Sequence, residues 1–408
     1  MNRSEEAPAW PRSSKTLGKK TIAARGTGVR PATRNNKPKT RSSTTGLQTT
    51  STRGDFKNIA IIRLSSVGDV IVALPALEGL RSTYPEAKIS WIVERRARNI
   101  LEGHPSIDQL IEFPREHWRS FQGRPFGALR ALPGMRRFYR SLRDQRFDLT
   151  VDFQGNLKSG SCTFFSRAKV RLGYARSECR EPNYLFTNRR LDIAGQAIHR
   201  IDRDVLLVGK VGVPFAVPRP RIAFDPADRG AGDRTVKAPH AGPPAVVLHP
   251  GTSDFMPHKR WAIENYAKLG DALVRQIGAR VLLSWGPGEE ARIAALRDAM
   301  SEPSEVIPPT PTLKSLGYLL SRADLVVGGD TGPIHLAVVQ GVPTICIMGP
   351  SDPRLHYPHG HPERAFYRRV PCSPCRDRAC AQLTCLEDIS PSEVVDRATE
   401  ILQTAERA

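Results

Sequence analysis

The segment 324–337 constrains the fold of this chain more than any other stretch of its sequence. The apolar run Leu325-Val-Val-Gly is followed by a short polar stretch and then by an apolar one, which predicts a buried strand, a sharp turn and the start of a helix. In the turn, Asp330 and Thr331 are residue types that cap helices, and Gly332 allows a ligand to approach the backbone. Because a helix N-terminus presents free N–H groups, this turn predicts a site for an anion such as phosphate.

The same alternation of apolar strand, polar turn and helix recurs along the chain, and it predicts a parallel α/β sheet. The predicted strands are 58–64, 88–94, 148–152, 245–249, 281–284, 325–328 and 344–348. The predicted helices are 70–82, 261–276, 289–300 and 313–321, with a last helix that opens at the capping box Ser390-Pro-Ser-Glu393. In open α/β sheets a ligand lies outside the carboxyl ends of the strands, where these polar turns are predicted to lie.

The chain of 408 residues is long enough for two or three domains. Its composition predicts a disordered basic tail over residues 1–55, Rossmann-like domains over 56–218 and 245–389, and a Pro-, Gly- and Ala-rich linker over 219–244. The tail contains 12 Lys and Arg against three acidic residues and is rich in Ser, Thr, Gly and Pro. It could contact an anionic membrane or nucleic acid, or be a targeting peptide or a misassigned start, and no function is assigned to it.

Charge and apolar content narrow the class of protein. The net charge of +20 is typical of nucleic-acid binding or of a solvated basic surface. No run of 18 or more apolar residues occurs, so no transmembrane helix is predicted, and the N-terminus lacks the apolar core of a secretory signal. Seven cysteines scattered over a long chain without signs of export favour a reducing compartment.

Two polar turns contain candidate catalytic residues. Asp69 ends the turn Ser65-Ser-Val-Gly-Asp69 after the first strand, where it could cap a helix or act as a general base; spacing alone favours the cap. The turn Pro250-Gly-Thr-Ser253, together with Lys259, offers N–H groups, hydroxyls and a cation for a diphosphate. An ordinary polar loop explains that turn about equally well.

Three further candidates have ordinary structural explanations as well. Glu289 and Glu290 open a helix, where acidic residues commonly offset the helix dipole. A single histidine such as His335 is more often structural, although it lies in the predicted phosphate turn. The four cysteines with the spacing Cys372-x2-Cys375-x4-Cys380-x4-Cys385 could bind zinc, but the second pair has the wrong spacing, and free thiols or local disulfides explain the cluster better.

Taken together and in this order, the motifs resemble those of glycosyltransferase family 9, the ADP-heptose:lipopolysaccharide heptosyltransferases. The matching pieces are Arg63-Leu-Ser-Ser-Val-Gly-Asp69, Leu74-Pro-Ala-Leu77, Asp152-Phe-Gln-Gly-Asn-Leu-Lys-Ser159, His249-Pro-Gly-Thr252, Lys259-Arg-Trp261, Gly329-Asp-Thr-Gly-Pro-Ile-His335 and Gly349-Pro-Ser-Asp-Pro353. Each piece is weak alone, and the set is specific for the family. The similarity extends from about residue 59 to residue 402.

Within the family, different motifs of this chain resemble different subfamilies. Gln154-Gly155 with Lys158-Ser159, the triplet Arg180-Glu-Pro182, and His199 four residues before Arg203 resemble heptosyltransferase I. The Pro-Gly-Thr loop and the Cys-rich C-terminal segment resemble the broader family and heptosyltransferase II.

The resemblance implies a GT-B fold, in which two Rossmann-like domains face each other across a cleft. It implies that the N-terminal domain takes the acceptor, that the C-terminal domain takes the ADP-sugar, and that a C-terminal helix over 390–408 returns to the N-terminal domain. It also implies an inverting transfer that needs no metal and no cofactor.

The resemblance further implies roles for individual residues. The catalytic residues would be Asp69, as general base, and Lys259, as a cation on the leaving diphosphate. The donor-binding residues would be Gly68, Thr252, Ser253, Glu289, Glu290, Asp330, Thr331, Gly332 and His335. The acceptor-binding residues would be Lys158, Arg180, His199 and Arg203, with Arg115, Trp118, Arg119 and Arg124 in a mobile acceptor loop.

The expected partners are ADP-heptose and an acceptor of the Kdo-lipid A type, without nucleic acid. An acidic glycolipid acceptor on the cytoplasmic leaflet accounts for the positive charge and predicts a cytoplasmic enzyme in peripheral contact with the inner membrane.

One alternative is a transferase of the same fold that uses another nucleotide sugar in O-antigen or capsule synthesis. Another is a non-catalytic, basic RNA- or membrane-binding protein. An NAD-dependent dehydrogenase is disfavoured because no Gly-x-Gly-x-x-Gly follows the first strand.

Overall fold

The computed structural model describes residues 54–119, 127–179, 181–193, 195–236, 242–252, 256–375 and 377–405. The strands are β1 (Asn58–Ile62), β2 (Lys88–Glu94), β3 (Gln109–Phe113), β4 (Leu149–Asp152), β5 (Val170–Tyr174), β6 (Arg189–Leu191), β7 (Ala245–His249), β8 (Arg280–Leu283), β9 (Ser304–Val306), β10 (Leu325–Gly329), β11 (Thr344–Met348) and β12 (Ala365–Tyr367).

The α-helices are α1 (Val67–Val72), α2 (Leu74–Thr83), α3 (Arg95–Arg98), α4 (Arg115–Arg119), α5 (Gly127–Asp144), α6 (Leu157–Phe165), α7 (Arg200–Gly209), α8 (Pro226–Thr235), α9 (Ile263–Ile277), α10 (Glu290–Ala299), α11 (Leu313–Leu320), α12 (Gly332–Gln340), α13 (Pro353–His356), α14 (Thr384–Glu387) and α15 (Pro391–Ala405). Short 3-10 helices cover Asn99–Leu101, Arg176–Glu178, Pro182–Phe186, Pro257–Lys259 and Pro362–Arg364.

Two parallel six-stranded sheets form the framework. Their strand orders are β3-β2-β1-β4-β5-β6 and β12-β11-β10-β7-β8-β9. If the strands of each half are numbered from one to six along the chain, both sheets have the order 3-2-1-4-5-6. In each sheet the order in which strands are added reverses between two neighbouring central strands. These strands are β1 and β4 in the first sheet and β7 and β10 in the second. Ligands of open parallel sheets bind at such switch points. The predicted α/β architecture with two Rossmann-like sheets is confirmed.

The central strands are buried on both faces, as parallel strands covered by helices must be. Ile59 and Ile61 of β1 lie in the first core with Trp91, and that core also takes in Leu336 and Val339 from α12 of the second half. The second sheet has one core on each face. The two halves therefore share apolar contacts through α12.

One predicted helix, 70–82, is two helices in the structure. α1 ends at Val72, and α2 begins at Leu74 with Pro75 in its first turn. Proline lacks an N–H group and fits a first helical turn better than an interior, so it marks the break.

Two segments differ from the expected domain plan. The segment predicted as a linker contains α8, which packs against α11. The C-terminal helix α15 packs against α9, and its buried residues Val394, Ala398 and Leu402 belong to a core of the second half, where the sequence analysis expected a return to the first half. Their spacing of four residues forms one apolar face, and that face is covered by α9.

None of the helices in the described ranges combines the length and the apolar character needed to cross a membrane.

Candidate active site

The two switch points face each other through two short turns. A Cβ atom at Gly68, in the first turn of α1, would lie 3.3 Å from Cδ2 of His335 and 3.7 Å from Cα of Gly332. Gly332 is the first residue of α12. The turn after β1 and the turn after β10 therefore meet, and the candidate site lies where they meet.

Asp69 contributes the carboxylate on the first side of the site. Its Oδ2 accepts hydrogen bonds from the backbone N–H and the hydroxyl of Ser66, both at 3.1 Å. Its Oδ1 forms an ion pair with Arg63 at 3.2 Å and with Arg200, which donates a hydrogen bond to it. Ser66 is the N-cap residue of α1 and Asp69 is the third residue of the helix, so one oxygen of Asp69 completes a capping box with Ser66 while the other contacts two guanidinium groups.

The surroundings of Asp69 set its protonation state. Burial opposes its ionisation, but Arg63 and Arg200 outweigh burial and hold the pKa of Asp69 well below its usual range. Asp69 is therefore an anion at neutral pH, and as a base it is weak as long as both arginines remain on it.

Arg200 is a site residue that the sequence reasoning missed. It is the first residue of α7, and its neighbours include Asp69 of the first half and Asp330 of the second, both of which favour its charged form. No local motif marks it, because the chain between Asp69 and Arg200 has to fold before the two meet. Arg63 was included only as part of a longer motif.

Asp330, on the second half of the molecule, contacts four side chains of the candidate site. Its Oδ2 accepts hydrogen bonds from Lys259 Nζ and Ser351 Oγ, both at 2.6 Å, and its Oδ1 lies 3.0 Å from His335 Nε2. His356 Nδ1 is 3.7 Å from the same Oδ1. The structure thus brings together the predicted Asp330, His335 and Lys259. It adds Ser351, which was included only as part of a longer motif, and His356, which the sequence did not single out.

Asp330 stays ionised within this cluster. Burial alone would raise its pKa, but its hydrogen bond from His335 and the charges of His356 and Lys259 hold the pKa of Asp330 well below its usual range. Burial lowers the pKa of His356 to about 4 despite Asp330. The buried anion therefore orients Lys259 and His335, and because it is negative itself, it is unsuited to direct contact with a phosphate.

The N-terminus of α12 is open for a ligand. Thr331 is the N-cap residue, but its side chain makes no capping hydrogen bond and Oγ1 contacts Gly329 O instead, at 3.3 Å. Among the described residues, no capping side chain therefore covers the N–H groups of Gly332 and Ile334, which lie next to Gly68 and Lys259. That arrangement suits an anion.

The loop after β7 is held by its own side chains. Thr252 Oγ1 accepts a hydrogen bond from Arg260 Nε at 2.9 Å and donates one to Met256 O at 3.0 Å. The Thr252 hydroxyl thus links Met256 and Arg260, which lie on either side of Lys259. Ser253 lies outside the described residues.

The two glutamates at the start of α10 differ in position. Glu289 accepts a hydrogen bond from Gly286 N at 2.7 Å, and its carboxylate occupies the space where a side chain at Gly251 would lie. Glu290 is exposed and has a long contact of 3.4 Å with Gly288 N. Glu289 therefore lies at the carboxyl ends of β7 and β8, toward the site, and Glu290 lies at the surface.

A pair of cations lies at the end of β2. Glu94, nearly buried, pairs with Lys158 Nζ at 3.1 Å and with Arg115 NH1 at 2.7 Å. Both cations remain about two-fifths exposed, so their other donors can meet an anion. Arg115 belongs to α4 and Trp118 packs on Phe113, with ring centres 5.0 Å apart, so this part of the predicted acceptor loop is helical. The side chain of Arg119 and all of Arg124 lie outside the described part of the chain.

His199 and Arg203 have structural partners. His199 caps α7 by accepting a hydrogen bond from Ile201 N at 3.2 Å, and its Nε2 donates to Tyr357 O at 3.0 Å in the second half. Burial and His359 lower the pKa of His199 to about 3, which keeps it neutral and able to make both bonds. Arg203 stacks over the Tyr174 ring, 3.9 Å from its centre. Arg180 lies outside the described residues.

Two clusters of side chains in the described part of the chain offer possible metal ligands. Within the described ranges, three ligand atoms come within 4.8 Å of one another only at His199, Asp202 and His359 and at Asp330, His335 and His356. Both ring nitrogens of His199 are already hydrogen-bonded, and Lys259 places a positive charge on Asp330. Neither group is therefore well suited to a divalent cation.

The cysteine cluster forms a pocket rather than a ligand set. Its four residues line a cavity of about 310 Å³ together with His258. All four are free thiols, and no three of their sulfur atoms approach within 4.8 Å of one another in the described structure. A tetrahedral metal site needs closer sulfur atoms than that.

Comparison with known proteins identifies relatives. The family model described as glycosyltransferase family 9 (heptosyltransferase) matches residues 135–385. Lipopolysaccharide heptosyltransferase 1 of Escherichia coli is 31% identical over 300 residues, which cover 73% of this chain and 89% of that protein. A lipopolysaccharide core heptosyltransferase of Haemophilus influenzae is 26% identical over 308 residues, covering 75% of this chain and 82% of that protein.

Solved structures agree with these matches. An Escherichia coli heptosyltransferase crystallised with ADP superposes with a TM-score of 0.63 at 27% identity, covering 84% of this chain and 99% of that one. The family model begins after the turn that follows β1 and includes the turn that follows β10, so the second of the two turns at the candidate site lies inside the matched segment.

Proposed function

The chain belongs to glycosyltransferase family 9, and from that premise we propose that it transfers heptose from ADP-heptose to a Kdo or heptose acceptor of the lipopolysaccharide inner core. The transfer inverts the anomeric configuration and uses no metal. The observation that carries the proposal is the meeting of Asp69, on the first half, with Lys259 and the open N-terminus of α12, on the second.

The ADP end of the donor is assigned to the second half. The diphosphate would lie at the N-terminus of α12, where the N–H groups of the helix and the ammonium group of Lys259 stabilise negative charge. Asp330 would hold Lys259 and His335 in place without contacting the phosphates. Glu289 is the better candidate for the adenosine ribose or base because it faces the loops after β7 and β8.

The reaction would be a single in-line displacement. Asp69 accepts the proton of the acceptor hydroxyl, the acceptor oxygen bonds to the anomeric carbon, and the bond from that carbon to the β-phosphate oxygen breaks. ADP leaves from the opposite face with the electron pair of that bond. The charge that develops on the diphosphate is stabilised by groups already in place, which is the usual largest contribution to catalysis.

Asp69 must lose one of the groups that contact its carboxylate before it can act as a base. Both of its oxygens are engaged, by Ser66 on one side and by Arg63 and Arg200 on the other. An anionic group of the acceptor that draws Arg200 away would leave Oδ1 with Arg63 alone and raise the proton affinity of Asp69. Acceptor binding and base activation would then be coupled.

The acceptor is assigned to the first half. Lys158 and Arg115, both held by Glu94, offer cations for carboxylates or phosphates of an acidic glycolipid. The net charge of +20 fits an enzyme that works on such an acceptor at the cytoplasmic face of the inner membrane.

The proposal is tested by a donor screen. Calorimetry with ADP-, UDP- and GDP-sugars should show tightest binding for ADP-heptose, and transfer to Kdo-lipid A should follow. A clear preference for UDP or GDP would overturn the proposed donor and favour a transferase of another polysaccharide.

A further inference from the structure

The exposed apolar side chains of this protein are concentrated in one place. Six of the seven large hydrophobic side chains that are about 40% or more exposed in the described structure belong to α5, α6 and the 3-10 helix Pro182–Phe186; only Phe215 lies elsewhere. The six are Leu129, Leu132, Leu157, Phe164, Phe165 and Leu185. Scattered exposed apolar residues need no explanation, whereas a group confined to adjoining elements marks an interaction site.

The three elements are packed side by side. Tyr139 of α5 contacts Phe165 of α6, with ring centres 4.4 Å apart, and donates or accepts a 2.7 Å hydrogen bond with Ser161. Phe164 lies 5.9 Å from Phe186, in the 3-10 helix. The six side chains therefore lie on adjoining elements, and we call them, with the exposed arginines of α5, the α5–α6 surface.

The exposed face of α5 mixes apolar and cationic residues. Leu129, Leu132, Arg136 and Arg140 recur at steps of three and four residues, which places them along one side of the helix. With Pro133 and Arg137 they line a depression of about 500 Å³. The opposite side, with Ala131 and Leu142, is buried against the domain, so the exposed leucines are not needed for packing.

The charge of this surface is strongly one-sided. α5 contains five arginines, Arg130, Arg136, Arg137, Arg140 and Arg143, and one acidic residue, Asp144. Only Arg143 forms an ion pair, at 3.9 Å with Asp144, among the described residues. Glu181 is a second acidic residue at the border, where it accepts a hydrogen bond from Leu157 N.

We propose that the α5–α6 surface docks on an anionic lipid bilayer. A helix that carries leucines and arginines on one face lies in the plane of a membrane interface, with its apolar side chains among the acyl chains and its arginines at the headgroups. Arginines attract anionic headgroups. Nucleic acid would meet the arginines but would leave the leucines and phenylalanines in water.

The surface adjoins the acceptor side of the cleft. Leu157 begins α6, and the next residue, Lys158, pairs with Glu94 at the end of β2. An acceptor anchored in the bilayer would therefore present its polar part next to Lys158. The docking itself does not depend on the proposed transfer, so the test below measures binding and not activity.

The experiment uses the full-length chain and cosedimentation with vesicles of phosphatidylcholine, with and without phosphatidylglycerol. The triple variant Arg136→Gln/Arg137→Gln/Arg140→Gln should bind anionic vesicles roughly 100-fold more weakly than the parent. The double variant Phe164→Ser/Phe165→Ser should lose about tenfold or more, because apolar contact with the acyl chains is lost.

Matched controls distinguish the contribution of this surface to vesicle binding from that of charged and aromatic residues elsewhere. Lys268→Gln/Arg275→Gln/Arg297→Gln removes three cations from α9 and α10, and Phe215→Ser removes an equally exposed ring elsewhere. Both should bind like the parent, and the basic N-terminal segment is the same in all chains. If the surface variants bind no more weakly than their controls, the proposal is wrong. Loss of affinity for duplex DNA with unchanged vesicle binding would assign the surface to nucleic acid instead.

A reporter measurement covers the case in which a variant is unstable. Leu132→Trp should show fluorescence quenching by brominated phosphatidylcholine in anionic vesicles, because the indole would enter the acyl region. Phe215→Trp should show none beyond the parent. Equal quenching of the two would exclude insertion of α5.

Discussion

At the scale of single residues, the chemistry depends on which side chains contact each of two carboxylates. Asp69 and Asp330 are both anions, yet their partners differ: two arginines for Asp69, and Lys259 with His335 and His356 for Asp330. An arginine keeps its charge at any working pH, whereas a histidine does not. Asp69 is therefore held in its anionic form until an arginine moves, whereas Asp330 keeps a permanent cation only in Lys259 and is further held by its hydrogen bond from His335.

Replacement of Asp69 by alanine should slow transfer by about 10²–10⁴-fold while ADP binding is largely kept, because loss of a general base typically costs that much. Steady-state transfer and calorimetric titration with ADP measure the two effects separately. Near-normal transfer by Asp69→Ala would exclude this residue as the base.

Replacement of Arg200 by methionine should change the pH dependence of transfer. The pKa of Asp69 lies below its usual range partly because of Arg200, and Asp69 acts in its ionised form, so the rate falls only as the pH drops through that low pKa. Without Arg200 the pKa rises, and the acid limb of kcat/KM should move to higher pH by about one unit.

The control for this prediction is Arg200→Lys, which keeps a cation and should leave the acid limb near that of the parent. An unchanged profile in Arg200→Met would show that Arg200 does not control the protonation of Asp69.

At the scale of elements, one buried ion pair ties several helices together. Lys314 of α11 pairs with Asp228 of α8 at 3.2 Å, with both side chains about 95% buried, and it also donates to Glu102 O in the first half at 3.2 Å. Burial opposes the ionisation of Asp228, but hydrogen bonds from Asp225 N and Lys314 lower its pKa. This pair links α8, in the segment predicted as a linker, to both halves.

Replacement of Asp228 by asparagine should lower the free energy of unfolding by about 3 kcal/mol, because it leaves Lys314 buried without its counter-ion. The folded-state pKa of Asp228 is below the value of 3.8 expected in the unfolded chain, so the pair contributes fully above that pH and less as the pH falls. Urea unfolding of parent and variant at several pH values measures this.

Asp298→Asn provides the control, since it removes an exposed partner of Arg297 and should cost less than about 1 kcal/mol. A similar loss of stability in both variants would contradict a special role for the buried pair.

At the scale of the whole molecule, the site exists only where the two halves meet. The halves have the same strand order, so each offers the same kind of crevice at the end of its central strands. Gly68 and Gly332 let the two crevices approach, because a side chain at Gly68 would press on His335.

Replacement of Gly68 by valine should therefore lower kcat/KM at least about tenfold, because the added methyl groups keep Asp69 away from the second half and small misplacements of reacting groups are costly. Gly209→Val, at the end of α7 with nothing within 4 Å of its Cβ position, is the matched control and should be near normal. Equal activity of the two variants would show that the observed approach of the turns is not needed for transfer.

Much of the framework could be predicted from sequence because it depends on local patterns. The runs Lys88–Glu94, Ala245–His249 and Thr344–Met348 were predicted with the bounds that the structure shows, since runs composed mainly of apolar residues identify strands buried on both faces. The short edge strands, such as β6 and β9, were missed because each has only three residues. α5 was missed because Pro133 and its many arginines concealed its apolar face.

The sequence by itself determined the alternating α/β framework, the helix start at Thr331 and the membership of the family, because each depends on residues close together in the chain or on motifs in a constant order. Only the tertiary structure decided which charges surround the turns after β1 and β10. It placed Arg200 on Asp69, Ser351 and His356 beside Asp330, Glu289 inward and Glu290 outward, and His199 in a helix cap. Those contacts join residues far apart along the chain, and their geometry arises when the two sheets pack together.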